Sequence, residues 1–142
     1  MYDFKSDLFS EQWMAQFEYQ WNNDDEFVSA LSQIKFNSSI AYGLKDEAKA
    51  RGYIEVRKGK VISSGEYSGG KLNWDLRATE DVWQDWFEHP PGLMALGMAY
   101  TSQKLKFIKG DYASMIKDPS IAIPFVKSFV LMSRVGCEDC VS

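Results

Sequence analysis

The sequence predicts an α+β fold, a five-stranded and mainly antiparallel β-sheet with helices layered on one face. Three observations carry that expectation. Apolar residues recur at helical spacing up to residue 34 and alternate strictly from residue 36. Alternating runs then follow one another across short, glycine-bearing turns, the pattern of antiparallel neighbours. Two short apolar helices stand between the fourth and fifth runs, so the last strand should reach the sheet only after a helical crossover.

In chain order, Ser10 can cap a helix in which Trp13, Met14, Phe17 and Trp21 repeat at helical spacing, and Asn22-Asn23-Asp24 breaks it. Asp24 or Asp25 caps a second helix whose buried stripe is Phe27, Val28, Leu31 and Ile34. Residues 1–34 thus read as N-terminal helices that pack on the strands after them. Phe36, Ser38, Ile40, Tyr42 and Leu44 fall on one face of a first strand, and 46–51 is a polar turn. Residues 52–58 and 60–67 form a hairpin across Lys58-Gly59, where glycine supplies the positive φ of a tight turn. Ser68-Gly69-Gly70-Lys71 turns again; it lacks the Gly-Lys-Ser/Thr ending and the following helix of a phosphate loop.

The fourth strand spans 72–77. Thr79 then caps a helix with Glu80 and Asp81 opposing the macrodipole. His89-Pro90-Pro91-Gly92 stops that helix, and Pro91 suits the first position of the next. Residues 104–109 form the fifth strand, and Gly110-Asp111 leads into a helix that Asp118-Pro119 interrupts. A last helix over 124–134 carries Phe125, Val126, Phe129, Val130 and Met132, apolar on more than one side. Such a helix lies in a deep groove, covers part of a ligand or meets another subunit.

Composition narrows the function classes. A chain of 142 residues reads as a single domain, 1–142, able to bury a real core. Its net charge of −4, with Lys and Arg interspersed among acids, argues against nucleic-acid binding. Five Trp and nine Phe serve either a bulky core or an aromatic-lined pocket. Charges among the first residues and the lack of a run of ~18 apolar residues point to a cytoplasmic protein with at most transient membrane contact.

Catalysis and metal binding find little support. Cys137 and Cys140 make a CxxC in a stretch, 135–142, expected to be a flexible tail, and a zinc site would need two further ligands. The single histidine, His89, sits at a helix exit, a structural position where it can bind terminal carbonyls. Asp24-Asp25, Glu80-Asp81 and Glu138-Asp139 fall at helix starts or in the tail. No catalytic residue and no metal ligand is assigned; Asp75, Tyr100 and Asp111 are the side chains a cofactor-free enzyme could still use.

The helix pair between the last two strands carries Trp83, Trp86, Phe87, Leu93, Met94, Leu96, Met98 and Tyr100, more apolar surface than docking on a sheet requires. Such a surplus can face a cavity. The segment 71–111, with its acidic-capped helix, proline-started helix and closing Lys104-Leu105-Lys106-Phe107-Ile108-Lys109-Gly110-Asp111, resembles the sterol carrier protein two family of lipid-transfer domains. The resemblance covers roughly 36–134, and it implies an apolar tunnel between sheet and helices, with no catalytic motif and no cofactor. Matched to this family, the lipid would be held by Trp74 and Leu76, by Trp83, Trp86 and Phe87, by Leu93, Met94 and Met98, and by Leu105 and Phe107. Phe125 and Phe129 of the terminal helix would help close the tunnel.

The implied function is non-catalytic binding and transfer or presentation of a hydrophobic lipid: a fatty acid, a fatty acyl chain or a sterol-like molecule. Alternatives are an accessory subunit that presents an isoprenoid or steroid intermediate to an enzyme, and a small cofactor-free enzyme with an aromatic pocket. An enzyme partner and a homodimer both stay open. Two departures from the family pattern stand out: His89-Pro90-Pro91-Gly92 replaces the usual Asn-Pro, and tryptophans replace smaller residues in strand and helix.

Overall fold

The computed structural model describes residues 4–135, so Cys137, Glu138, Asp139 and Cys140 lie outside the described residues. The chain is α+β, with elements α1 (Phe4–Asp7), α2 (Glu11–Asn22), α3 (Asp25–Gln33), β1 (Ser38–Leu44), β2 (Gly52–Arg57), β3 (Lys60–Glu66) and β4 (Trp74–Ala78). There follow α4 (Glu80–Glu88), α5 (Leu93–Thr101), β5 (Lys106–Lys109), α6 (Tyr112–Ile116) and α7 (Pro119–Ser133). Local chemistry sets the helix starts. The side chains of Ser10, Asp24, Thr79 and Asp111 accept from the backbone N–H groups of Trp13, Phe27, Val82 and Ser114, each satisfying a donor the helix leaves open. Between β2 and β3, Lys58 and Gly59 both take positive φ, 50° and 86°, the tight reversal a two-residue hairpin requires.

The five strands form one sheet in the order β3-β2-β1-β4-β5, with three of its four pairings antiparallel. Here the structure corrects the sequence reading. β4 does not follow β3 as an antiparallel neighbour; it pairs in parallel with β1, Ile40 opposite Trp74 and Tyr42 opposite Leu76. Segment 67–73 carries the chain from one side of β1 to the other, and Asn73 pins its end by hydrogen bonds to and from Ser39. Gly69 and Gly70 take positive φ within it, so the Gly-Gly-Lys stretch is a crossover turn. β5 then lies antiparallel to β4, Leu76 opposite Phe107.

Ile40, Tyr42, Leu44, Ile54, Val56 and Leu76 face the helices and are buried. α2 lies against the β2–β3 hairpin. There Asn22 Nδ2 donates to the Val61 carbonyl and its Oδ1 accepts from the Val61 N–H, both at 2.9 Å, while Trp21 Nε1 donates to the Gly59 carbonyl at 2.8 Å. α7 begins five residues earlier than expected, at Pro119 with Asp118 as its cap, and includes Pro124 in its interior. It packs against α2, α3, α4, α5 and α6. With Phe129, Leu131 and Met132 fully buried, α7 is the centre of the helical layer rather than a cover over it.

The opposite side of the sheet holds a buried ion pair. Arg77 Nε and Nη2 meet the Asp75 carboxylate at 2.6 and 3.1 Å, and Nη1 donates to the carbonyls of Glu47 and Leu44 at 2.8 and 3.3 Å. Gly43 makes this possible: a Cβ there would stand 3.0 Å from Ala50 Cα and 3.1 Å from the Arg77 side chain. The loop is fastened by Arg51, whose two bonds to Glu47, at 2.8 and 2.7 Å, hold that carboxyl below the usual carboxylate range.

Candidate functional site

Between the sheet and the helical layer lies a cavity of about 50 Å³, measured to the centre of a water-sized sphere. One water needs ~10–15 Å³ by that measure, so the space is real but smaller than a lipid chain. Its sheet wall is Phe36, Ile40 and Tyr42 from the first strand and its approach, with Trp74 and Leu76 from β4. Trp21, Phe27 and Leu31 close it from α2 and α3. Met115, Ile121, Pro124, Phe125 and Ser128 close it from α6 and α7. The parallel β1–β4 pairing builds this wall, because it sets Ile40 beside Trp74 and Tyr42 beside Leu76 on one face. Trp74 is seated by the backbone after β5: at Gly110, with φ 109°, a Cβ would stand 2.1 Å from the indole.

No Asp, Glu, Lys, Arg or His lines the cavity. Tyr42 is its ionisable group, and burial pushes that phenol well above its ordinary value, so it stays protonated. Ser128 Oγ is already committed, donating to the Phe125 carbonyl at 2.6 Å, and Trp21 Nε1 to Gly59. The cavity also lies on a seam. The main core and a smaller cluster of Tyr112, Met115 and Ala122 share Trp74, Phe107 and Phe125, so α6 and the start of α7 form a separate apolar unit against the sheet.

Of the residues the sequence singled out, Trp74, Leu76 and Phe125 border the cavity. The others stand elsewhere. Trp83, with no exposure at all, is enclosed by Phe9, Tyr42, Trp86, Phe87 and Phe129 at ring separations of 5.0 to 6.4 Å, and its Nε1 donates to the Gly43 carbonyl. Trp86, Phe87 and Phe129 belong to that same aromatic core, which lies behind Tyr42. Leu105 is core, and Phe107 packs edge-on against Trp74 at 5.8 Å without reaching the cavity. Leu93, Met94 and Met98 do not face inward: Met94 is 81% and Met98 69% exposed, because α5 docks through Leu96 and Ala99. α5 is apolar nearly all round, so periodicity could not say which side it buries.

The sequence reading missed the contributions of Trp21, Phe27, Leu31, Phe36, Ile40, Tyr42, Met115, Ile121, Pro124 and Ser128. The alternation of Phe36, Ile40 and Tyr42 was a usable signal, since it marks the face of β1 that meets the helices. Asp75, Tyr100 and Asp111 are placed away from the cavity lining: Asp75 is paired with Arg77, Tyr100 stacks on Tyr112 at 4.3 Å, and Asp111 caps α6. His89 caps α4, its ring exposed and 3.5 Å from the Asp85 carboxylate rather than on terminal carbonyls. Among the described residues no cluster of three His, Cys, Asp or Glu side chains is arranged to hold a metal ion.

No family model matches the sequence, and no curated protein matches it. The solved structures do. A crystal structure of sterol carrier protein 2 aligns over 92% of this chain and 100% of its own, with a TM-score of 0.72 at 16% identity. The chain has the sterol carrier protein 2 fold. A conserved hypothetical protein of Thermus thermophilus, considered a candidate sterol carrier protein, aligns over 89% of this chain and 90% of its own, with a TM-score of 0.62 at 19% identity. The ubiquinone synthesis protein UbiJ-SCP2 aligns over 84% and 86%, with a TM-score of 0.57 at 12% identity. At these identities the likeness is one of fold. Among the described residues no helix is long and apolar enough to cross a membrane.

Proposed function

We propose that this protein binds a hydrophobic lipid in the cavity between sheet and helices and carries or presents it without catalysing a reaction. The observation that carries this reading is the lining: a sterol carrier protein 2 fold encloses a cavity walled by aromatic and aliphatic side chains, with no carboxylate, amine or imidazole on its surface. Affinity would come from burying apolar ligand surface, at roughly 0.8 kcal/mol per methylene. General acid–base chemistry would need a titratable pair near the ligand, and the lining offers only a neutral phenol. A lipid needs more room than the cavity gives, so binding would part α6 and the start of α7 from the sheet along the seam between the two apolar clusters.

Native mass spectrometry of the freshly purified protein, followed by titration with apolar ligands, tests this reading. A retained small molecule, or saturable binding, is expected. A protein that neither retains nor binds any lipid refutes it.

A second reading, presentation of the lipid to an enzyme partner, rests on α5. Its exposed Leu93, Met94 and Met98 form an apolar surface that the fold does not use, and one protein of similar fold is a ubiquinone synthesis protein. Co-purification of a biosynthetic enzyme that is lost on replacing Met94 and Met98 with Glu would favour it. Either role suits an aqueous, cytoplasmic setting.

A further inference from the structure

Met115 and Ile121, which help close the cavity, belong to segment 111–123, made of α6 and the first turn of α7. The segment is braced within itself. Asp111 accepts from the Ser114 N–H and Oγ at 3.1 and 2.7 Å, and Asp118 from the Ser120 N–H and Oγ at 3.1 and 2.6 Å. The Asp118 N–H donates to the Met115 carbonyl at 3.0 Å and so ties one helix to the other, over a small core of Tyr112, Met115 and Ala122. Outward, the segment is held by apolar contact. Tyr112 stacks on Tyr100 at 4.3 Å and leans on Phe107 at 5.5 Å. Among the described residues no hydrogen bond or ion pair joins 111–123 to any element but the rest of α7. α2, by contrast, is tied to the β2–β3 hairpin through Asn22 and Trp21.

Both ends of this segment are jointed. At Gly110 the chain leaves β5 with φ 109°, a conformation that glycine enters and leaves at little cost and other residues rarely adopt. At Pro124, inside α7, the ring has no N–H, so the Ser120 carbonyl lacks the helical bond it would otherwise accept and the helix is weakened there. Each joint touches the cavity: Gly110 underlies Trp74, and Pro124 is part of the lining. We propose that residues 111–123 are a lid that swings as one body on Gly110 and Pro124, opening in the unliganded protein and setting the rate at which a ligand enters. Resting on the lipid-binding reading above, this gives that reading its moving part, two named joints and an opening that precedes the ligand. Hydrogen bonds to the sheet would fix one geometry; non-directional apolar packing lets a braced body part and return.

Amide exchange of the unliganded protein in rising urea tests the lid. Amides of 112–123 are expected to exchange at least about tenfold faster than those of β1 and α2, through an opening that low urea leaves nearly unchanged because it exposes little surface. Pro124→Ala supplies the missing N–H. It should slow exchange by about three- to tenfold, the net worth of one hydrogen bond, throughout 112–123 and so in α6 as well as α7. Stopped-flow mixing with Nile red, an uncharged apolar dye, should show entry slowed by a similar factor. Loss of the proline ring cannot imitate that slowing, since a smaller wall would ease entry. Exchange of 112–123 only with global unfolding, slowing confined to α7, or unslowed Nile red entry in Pro124→Ala overturns the lid while leaving lipid binding intact. If Nile red, dodecane and laurate all fail to bind either protein, the lipid-binding reading fails, and exchange alone decides whether the segment is hinged.

Discussion

Trp21 and Trp74 border the cavity, whereas Trp83 and Trp86 stand behind it in the aromatic core. A change in tryptophan emission on titration with an apolar ligand is therefore expected to shrink in Trp74→Phe and to persist in Trp83→Phe. The reverse pattern would move the binding site into the core. Away from the cavity, Asp75 and Arg77 are both about nine-tenths or more enclosed and bind each other bidentately. Replacing Arg77 with Ala would strand a buried carboxylate and two backbone carbonyls. The expected loss is ~3–5 kcal/mol in urea unfolding, far above the ~0.5 kcal/mol of an ordinary surface change. A loss below ~1 kcal/mol would mean that the 45–51 loop opens to let water reach Asp75.

At the scale of elements, α7 decides more than its place at the chain's end suggests. The family resemblance gives Phe125 and Phe129 of this helix the task of closing a tunnel, but Phe129, Leu131 and Met132 are fully buried against the rest of the core. Each such side chain is worth ~2–5 kcal/mol on truncation to Ala, and the three together are comparable to the whole ~5–15 kcal/mol stability of a typical small protein. Deleting the chain from Pro124 onward is therefore expected to abolish cooperative unfolding by circular dichroism. A truncated protein that melts cooperatively with native strand content would restore the cover reading. α5 is the converse case. The family resemblance has Met94 and Met98 hold the lipid, yet they project outward, so Met94→Leu with Met98→Leu should leave ligand selectivity unchanged.

For the whole molecule, the proposed lipid binding would require a cavity of about 50 Å³ to widen, and the seam between the two apolar clusters is where it would open. Hydrogen exchange with and without ligand should change in α6 and the first turns of α7 and stay unaltered in the β2–β3 hairpin. Uniform protection across the sheet and α6 would instead mean global stabilisation of a site already open. Much of this architecture was legible in the residues. The caps at Ser10, Asp24, Thr79 and Asp111, the Lys58-Gly59 turn and the inward alternation of β1 are short-range chemistry, in which a side chain acts on a backbone a few residues away. The sheet's strand count and the helical layer on one face follow from that pattern, whereas the inward positions of Trp74 and Leu76 came from the resemblance to the sterol carrier protein two family. Three features were decided only by tertiary structure. The parallel pairing of β1 with β4 joins strands separated by a whole hairpin, and period-2 alternation is the same for a parallel or an antiparallel neighbour. The face that α5 buries was undetermined because the helix is apolar all round. Whether a tryptophan meets a ligand or fills the core depends on what packs behind it, and for Trp83 that is Phe9 and Phe129, from opposite ends of the chain.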